Sequence, residues 1–251
     1  MNIFRGVDIE NLLLLLYNKK DKYDKGMKKS MENKKTLFFS NIVGNVMEDD
    51  TNVRFNDYMS EYLIENIDNK YSMVFINAPG LGGEEYYLSN ILKCFDKIGI
   101  TFKDILSIDE STTKQEADDF IERYEKIVYF LMGGNPYTQF KIIQTLDLKE
   151  KIKKHEDIVI GFCAGAINLS TYSIITSDED FDTPDSYIGI GREDICIEPH
   201  YNNSNDITRK IELKDFAKKY NTKIYCIPDE SIIYFENGKK YEKGNIYYIN
   251  Q

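Results

Sequence analysis

The sequence predicts an α/β fold: a doubly wound, mostly parallel sheet with helices on both faces and a C-terminal β-hairpin. Three observations carry that expectation. Strand-like apolar runs alternate with segments of helical period from Thr36 onward. The run from Lys126 to Met132 is continuously apolar after its first residue, which suits a strand covered on both faces. Asp157 to Ser170 reads as a strand, Ile158-Val159-Ile160, turning sharply into a helix through Gly161-Phe162-Cys163-Ala164-Gly165.

In chain order, residues 1–35 read as an N-terminal extension, and 36–251 as the main domain. Leu12 to Leu16 is the one strongly apolar block near the N-terminus; it is too short to span a bilayer and lacks the flanks of a signal peptide. A lysine-rich stretch follows it and reads as solvated surface. Leu37-Phe38-Phe39 is a short strand, Val53 to Ile67 a helix, Ser72 to Ala78 a strand, and Pro79 to Gly83 a strand-to-helix turn that matches no phosphate-binding loop. Glu84 to Ile98 reads as a helix, Phe102 to Ile108 as a strand, and Thr113 to Tyr124 as a helix with Ser/Thr caps and early acids. After the strand at Lys126 to Met132 comes the turn Gly133-Gly134-Asn135-Pro136 and a helix at Tyr137 to Leu146. Residues 174–191 read as an irregular polar loop over the site mouth, whose aspartates lack the spacing of a calcium loop. Strands are expected from Ile195 up to Pro199 and at Lys223 to Ile227, with an amphipathic helix from Asp206 to Tyr220 between them. Ile232 to Phe235 and Asn245 to Ile249, around a turn at Asn237-Gly238, form the terminal hairpin.

Thirty-two Lys and Arg against 42 Asp and Glu leave a net charge of −10, which argues against a nucleic-acid or anionic-membrane surface. Small or peptide-like partners fit better, and a homodimer is compatible with the sequence. Cys94, Cys163, Cys196 and Cys226 are widely spaced, and only two histidines accompany them. That is neither a zinc cluster nor a disulfide framework, and it suits reduced thiols in the cytoplasm. No metal or organic cofactor is expected.

The chemistry is expected at the carboxyl ends of the strands. Gly161 and Gly165 flank Cys163 as Gly-x-nucleophile-x-Gly requires, and the next amide, of Ala164, sits where an oxyanion could form. The glycine pair Gly133-Gly134 with Asn135 falls on the same rim, where a backbone amide could serve as second oxyanion donor. His200, in Glu198-Pro199-His200-Tyr201, ends a strand and is the candidate base; His155 lies in a charged helix end where exposure is expected. The carboxylates of the Pro228-Asp229-Glu230 corner occupy a third strand end, where a histidine-orienting acid belongs.

These motifs, in this order and at this spacing, make the chain from Thr36 onward resemble the peptidase E group of aspartyl dipeptidases together with the cyanophycinases, whose fold is similar to class I glutamine amidotransferase domains. The resemblance implies nucleophile, base and acid roles for Cys163, His200 and Asp229, with Glu230 as the alternate acid. It implies oxyanion donors in Ala164 and in Gly133 or Gly134. The family's nucleophile is serine; cysteine stands there in this chain, as in the glutaminase relatives, although the His-x-Glu pair of those relatives is absent. The expected activity is hydrolysis of an amide bond in a small peptide or amide substrate. A glutaminase-like or acyl-transferase activity would use the same residues, and a silent family member acting as a binding or thiol-sensing module is the reading from another class.

Overall fold

The structure, a computed structural model, describes residues 34–178, 180–202 and 206–250. The N-terminal extension expected at 1–35 therefore lies outside the described residues, apart from Lys34 and Lys35.

Five strands and the helices between them build the central layer: β1 (Lys35–Phe39), α1 (Asp57–Asn66), β2 (Ser72–Ile76), α2 (Glu84–Lys97), β3 (Ile105–Ile108), α3 (Lys114–Arg123), β4 (Ile127–Leu131), α4 (Pro136–Thr145), α5 (Leu148–Lys154) and β5 (Ile158–Phe162). The chain then forms α6 (Ala164–Leu169), β6 (Tyr172–Ile175), β7 (Asp185–Ile188), β8 (Cys196–Glu198), α7 (Ile207–Tyr220), β9 (Ile224–Cys226), β10 (Ile232–Glu236), β11 (Lys239–Lys243) and β12 (Tyr247–Ile249). Strand order in the main sheet is β11-β10-β1-β5-β4-β2-β3. From β1 to β3 all neighbours are parallel, and β10 and β11 add an antiparallel margin.

Side chains of the central strands alternate between two cores, as the period of two demands. Leu37, Phe39, Met73, Phe75, Val128, Phe130, Ile158 and Ile160 face the layer holding α1 and α2. Phe38, Val74, Ile76, Tyr129, Leu131 and Val159 face the layer of α3 to α6. Burial on both faces is why these strands read as continuous apolar runs. Local chemistry fixes the helix starts. Asn56 caps α1 through the Met59 amide, Thr113 and Glu116 close a capping box on α3, and Pro136 opens α4 behind the Asn135 cap.

Four expectations shift. The helix expected from Val53 begins at Asp57, because Arg54 pairs with Val43 in an isolated bridge. The strand expected from Phe102 begins at Ile105: the Asp104 carboxylate accepts from the Ile105 amide, and Phe102 turns its ring against Phe95 instead. Residues 174–191 are not wholly irregular, since β6 and β7 form a two-stranded antiparallel sheet. The partner of β10 across Asn237-Gly238 is β11, while the 245–249 segment contributes β12 to a second sheet, β12-β9-β8.

Candidate active site

The end of β5 forms the elbow. Cys163 follows the strand, donates its amide to the Phe39 carbonyl at 3.0 Å and accepts from the Ile167 amide, so strand and helix meet at this residue. Its backbone is at φ 47 and ψ −106, a sparsely populated region for a residue with a Cβ. The flanking glycines have steric reasons. A Cβ on Gly165 would collide with the Leu131 carbonyl oxygen, and one on Gly161 would come within 2.9 Å of the Ala166 backbone. On the other side, Gly133 lies against the elbow: a Cβ there would sit 3.1 Å from that of Cys163.

His200 and Asp229 approach from the second sheet. Each lies just past a strand end, His200 beyond β8 and Asp229 beyond β9, and the Tyr201 amide bonds the Ile227 carbonyl to bring those ends together. His200 also has a positive φ of 53. Its Nδ1 is 2.7 Å from Oδ1 of Asp229, with 39% of the His200 side chain and 36% of the Asp229 side chain exposed. Burial lowers the imidazole pKa, but the Cys163 charge, the Asp229 charge and hydrogen bonds to both outweigh it and push His200 up to about 10. The bond from His200 is the main reason that the Asp229 carboxyl is held below the usual carboxylate range; Asn41 and Asn202 add hydrogen bonds of the same sign. With Nδ1 engaged by Asp229, Nε2 is the ring atom left for Cys163.

A cavity of about 430 Å³ opens here, lined among others by Gly133, Gly134, Cys163, His200 and Arg209. Its outer wall includes Asp178, Asp180 and Phe181 from the turn between β6 and β7. The remaining candidates are placed differently. Ala164 is fully buried at the start of α6. Asn135 spends its side-chain oxygen on the Tyr137 and Thr138 amides and its own amide on the Ala78 carbonyl. Glu230 is exposed in the turn, and it is the preceding Asp229 that bonds His200. The amides of Gly133, Gly134 and Ala164 donate to no acceptor among the described residues.

Sequence reasoning passed over several polar residues. Glu198 is buried, accepts from Thr176 Oγ1 at 2.9 Å and pairs with Arg209 at 2.5 Å. Arg209 in turn donates to the carbonyls of Pro199 at 2.6 Å and His200 at 3.1 Å. No motif marks an arginine on an amphipathic helix for this place. His155 was expected exposed; instead its Nε2 lies 2.8 Å from the Ile127 carbonyl and its ring meets Tyr129 edge-on, so burial pushes its pKa down to about 4. The four cysteines are free, and only Cys163 is not fully buried. Among the described residues no cluster of ligands could hold a metal ion, and no helix is long and apolar enough to cross a membrane.

A model of the family described as peptidase family S51 matches residues 43–242, most of the chain and all of the site. The chain belongs to peptidase family S51. That membership makes it one of a family of peptidases, which are hydrolases. Among solved structures, the chain is similar to the crystal structure of a candidate peptidase E protein from Listeria monocytogenes EGD-e, with 19% identity and a TM-score of 0.59. The likeness covers 84% of this chain and 98% of that one, and at this identity it speaks for the fold. A search of curated proteins finds no significant match.

Proposed function

We propose that this S51 chain hydrolyses an amide bond in a small peptide or amide substrate through a thioester on Cys163, with His200 as base and Asp229 as its orienting acid. The observation that carries the proposal is the meeting of a strained elbow cysteine with a histidine whose other ring nitrogen is held by a carboxylate 2.7 Å away. That is the nucleophile, base and orienter arrangement that acyl transfer needs.

His200 Nε2 takes the Cys163 proton, or already shares it as an ion pair, and the sulfur forms a bond to the substrate carbonyl carbon as the carbonyl electrons move onto oxygen. Amides of Ala164 and of Gly133 or Gly134 hold that oxyanion, each donor typically worth about 10²-fold or more in rate. The C–N bond breaks as His200 returns its proton to the departing amine. Water then attacks the thioester, giving one proton to His200, and the C–S bond breaks to release the acid as that proton passes from His200 back to the sulfur. Residues 36–251 form the hydrolase domain in this reading.

The test is alkylation by iodoacetamide across pH, read by mass spectrometry, followed by a dipeptide and amide hydrolysis screen. Burial raises the pKa of Cys94, Cys196 and Cys226, suppressing their reaction. Selective alkylation of Cys163 near neutral pH, abolished by H200A and accompanied by turnover that C163A lacks, is expected. An inert Cys163 in the folded protein overturns the proposal.

A further inference from the structure

A chain of fully committed amide side chains runs behind the glycine turn. Gln139 of α4 is completely buried and donates both Nε2 hydrogens to backbone carbonyls, of Ile76 at 3.0 Å and of Met132 at 2.8 Å. Its Oε1 accepts from Asn168 Nδ2 at 3.0 Å, and Asn168, equally buried, also donates to the Pro136 carbonyl. The circuit ends on β7, where the Tyr187 hydroxyl donates to Asn168 Oδ1 at 2.6 Å. Both carbonyls can only accept, so the orientation of the Gln139 amide follows from its partners. Every polar atom of the two side chains has a partner, the condition under which a buried network fixes one geometry.

Met132 is the residue whose carbonyl shares a peptide plane with the Gly133 N–H. In a trans peptide the two point in opposite directions, and the described chain has no cis bonds. Holding the Met132 oxygen therefore fixes which way the Gly133 amide faces: away from Gln139. Gly133 lines the cavity, and a Cβ there would sit 3.1 Å from that of Cys163. A glycine turn has little else to stop this plane from rotating.

We propose that Gln139 is a positioning residue for the oxyanion site, locking the Met132–Gly133 peptide so that its N–H is preset, with Asn168 and Tyr187 holding Gln139 in place. The inference rests on the proposed acyl chemistry at Cys163 and adds to it the residue that orients one donor. Tyr187 stands on β7, so the small sheet that carries the cavity-walling turn is joined to this hydrogen-bond circuit.

Two reactions of Cys163 separate this role from a purely structural one. Alkylation by iodoacetamide is a displacement at carbon that forms no oxyanion, whereas acylation by p-nitrophenyl acetate passes through one. In Q139M, which keeps the volume and removes the donors, acylation is expected to fall about 10-fold or more, with alkylation within about twofold of wild type. Y187F, a milder change that leaves Gln139 in place, is expected to move the same ratio in the same direction by a smaller factor; it decides the matter if Q139M does not fold. Equal loss in both reactions, or no loss in either, overturns the proposal. If wild-type Cys163 is alkylated readily but its acylation is insensitive to both variants, this inference fails while the nucleophile stands. If wild-type Cys163 reacts with neither reagent, the acyl chemistry itself falls and takes this inference with it.

Discussion

Replacing Arg209 by alanine should be among the most damaging single changes near the site that leave its three proposed catalytic residues intact. The guanidinium pairs with Glu198, whose side chain is only 2% exposed, and carries hydrogen bonds to two carbonyls on the His200 segment. Its removal strands a buried carboxylate, a change that typically costs about 3–5 kcal/mol, against less than about 1 kcal/mol for an exposed pair. The cost should also depend on pH. Burial is the largest influence on Glu198 and raises its pKa, while Arg209 pulls it down; without Arg209 it rises further. Above the ordinary glutamate range the folded variant then holds a proton that the unfolded chain has lost, so its stability falls as pH rises through that window. Urea denaturation of wild type and R209A at pH 5 and pH 8 measures both effects. A loss below about 1 kcal/mol, or one no larger at pH 8 than at pH 5, would refute the picture of a buried, desolvated pair.

Three further outcomes are expected. G165A should cost about 1–3 kcal/mol or more, since its methyl meets the immovable Leu131 carbonyl, while G133A should stay within about 1 kcal/mol of wild type in thermal denaturation yet slow Cys163 acylation by displacing that side chain. By NMR the two histidines should bracket the ordinary range, His155 titrating near pH 4 and His200 near pH 10. Stability linked to His155 is then lost as pH falls from about 6.5 through 4, and that linked to His200 is lost as pH rises from about 6.5 through 10; a single shared midpoint near 6.5 would contradict both environments. N90A should loosen the cavity wall at 44–47, because the buried Asn90 amide holds the carbonyls of Val46 and of the adjoining Glu48 at 3.0 and 2.6 Å; increased hydrogen exchange confined to that segment is the expected readout.

Much of the fold was legible because burial on both faces writes itself as unbroken apolar runs, as in β2, β4 and β5. Where the sequence misled, a polar element was doing structural duty. Lys239–Lys243 is almost wholly charged and does not read as a strand, yet it pairs with β10 as the sheet margin, where lysines guard against further pairing. Asn245 to Ile249, expected as the hairpin partner, instead places Tyr247 and Ile249 in the second sheet. His155 lies among lysines, yet a helix end can be charged along the chain and still lay one ring on Tyr129. The elbow, the histidine and the Pro-acid corner were legible as motifs because backbone geometry demands small or rigid residues there. Gln139, Asn168 and Arg209 were not, because a polar residue on a helix signals nothing until the carbonyls it serves are brought alongside.

The proposed triad straddles two separately hydrogen-bonded sheets. Cys163 ends a strand of the seven-stranded sheet, whereas His200 and Asp229 end strands of the three-stranded one. Among the described residues no ladder joins the two sheets; contacts such as Ser40 Oγ to the Ile227 carbonyl at 2.6 Å bridge them. Gentle warming should therefore let the sheets drift apart and silence the chemistry while each sheet still keeps its own strands, so that inactivation would precede melting.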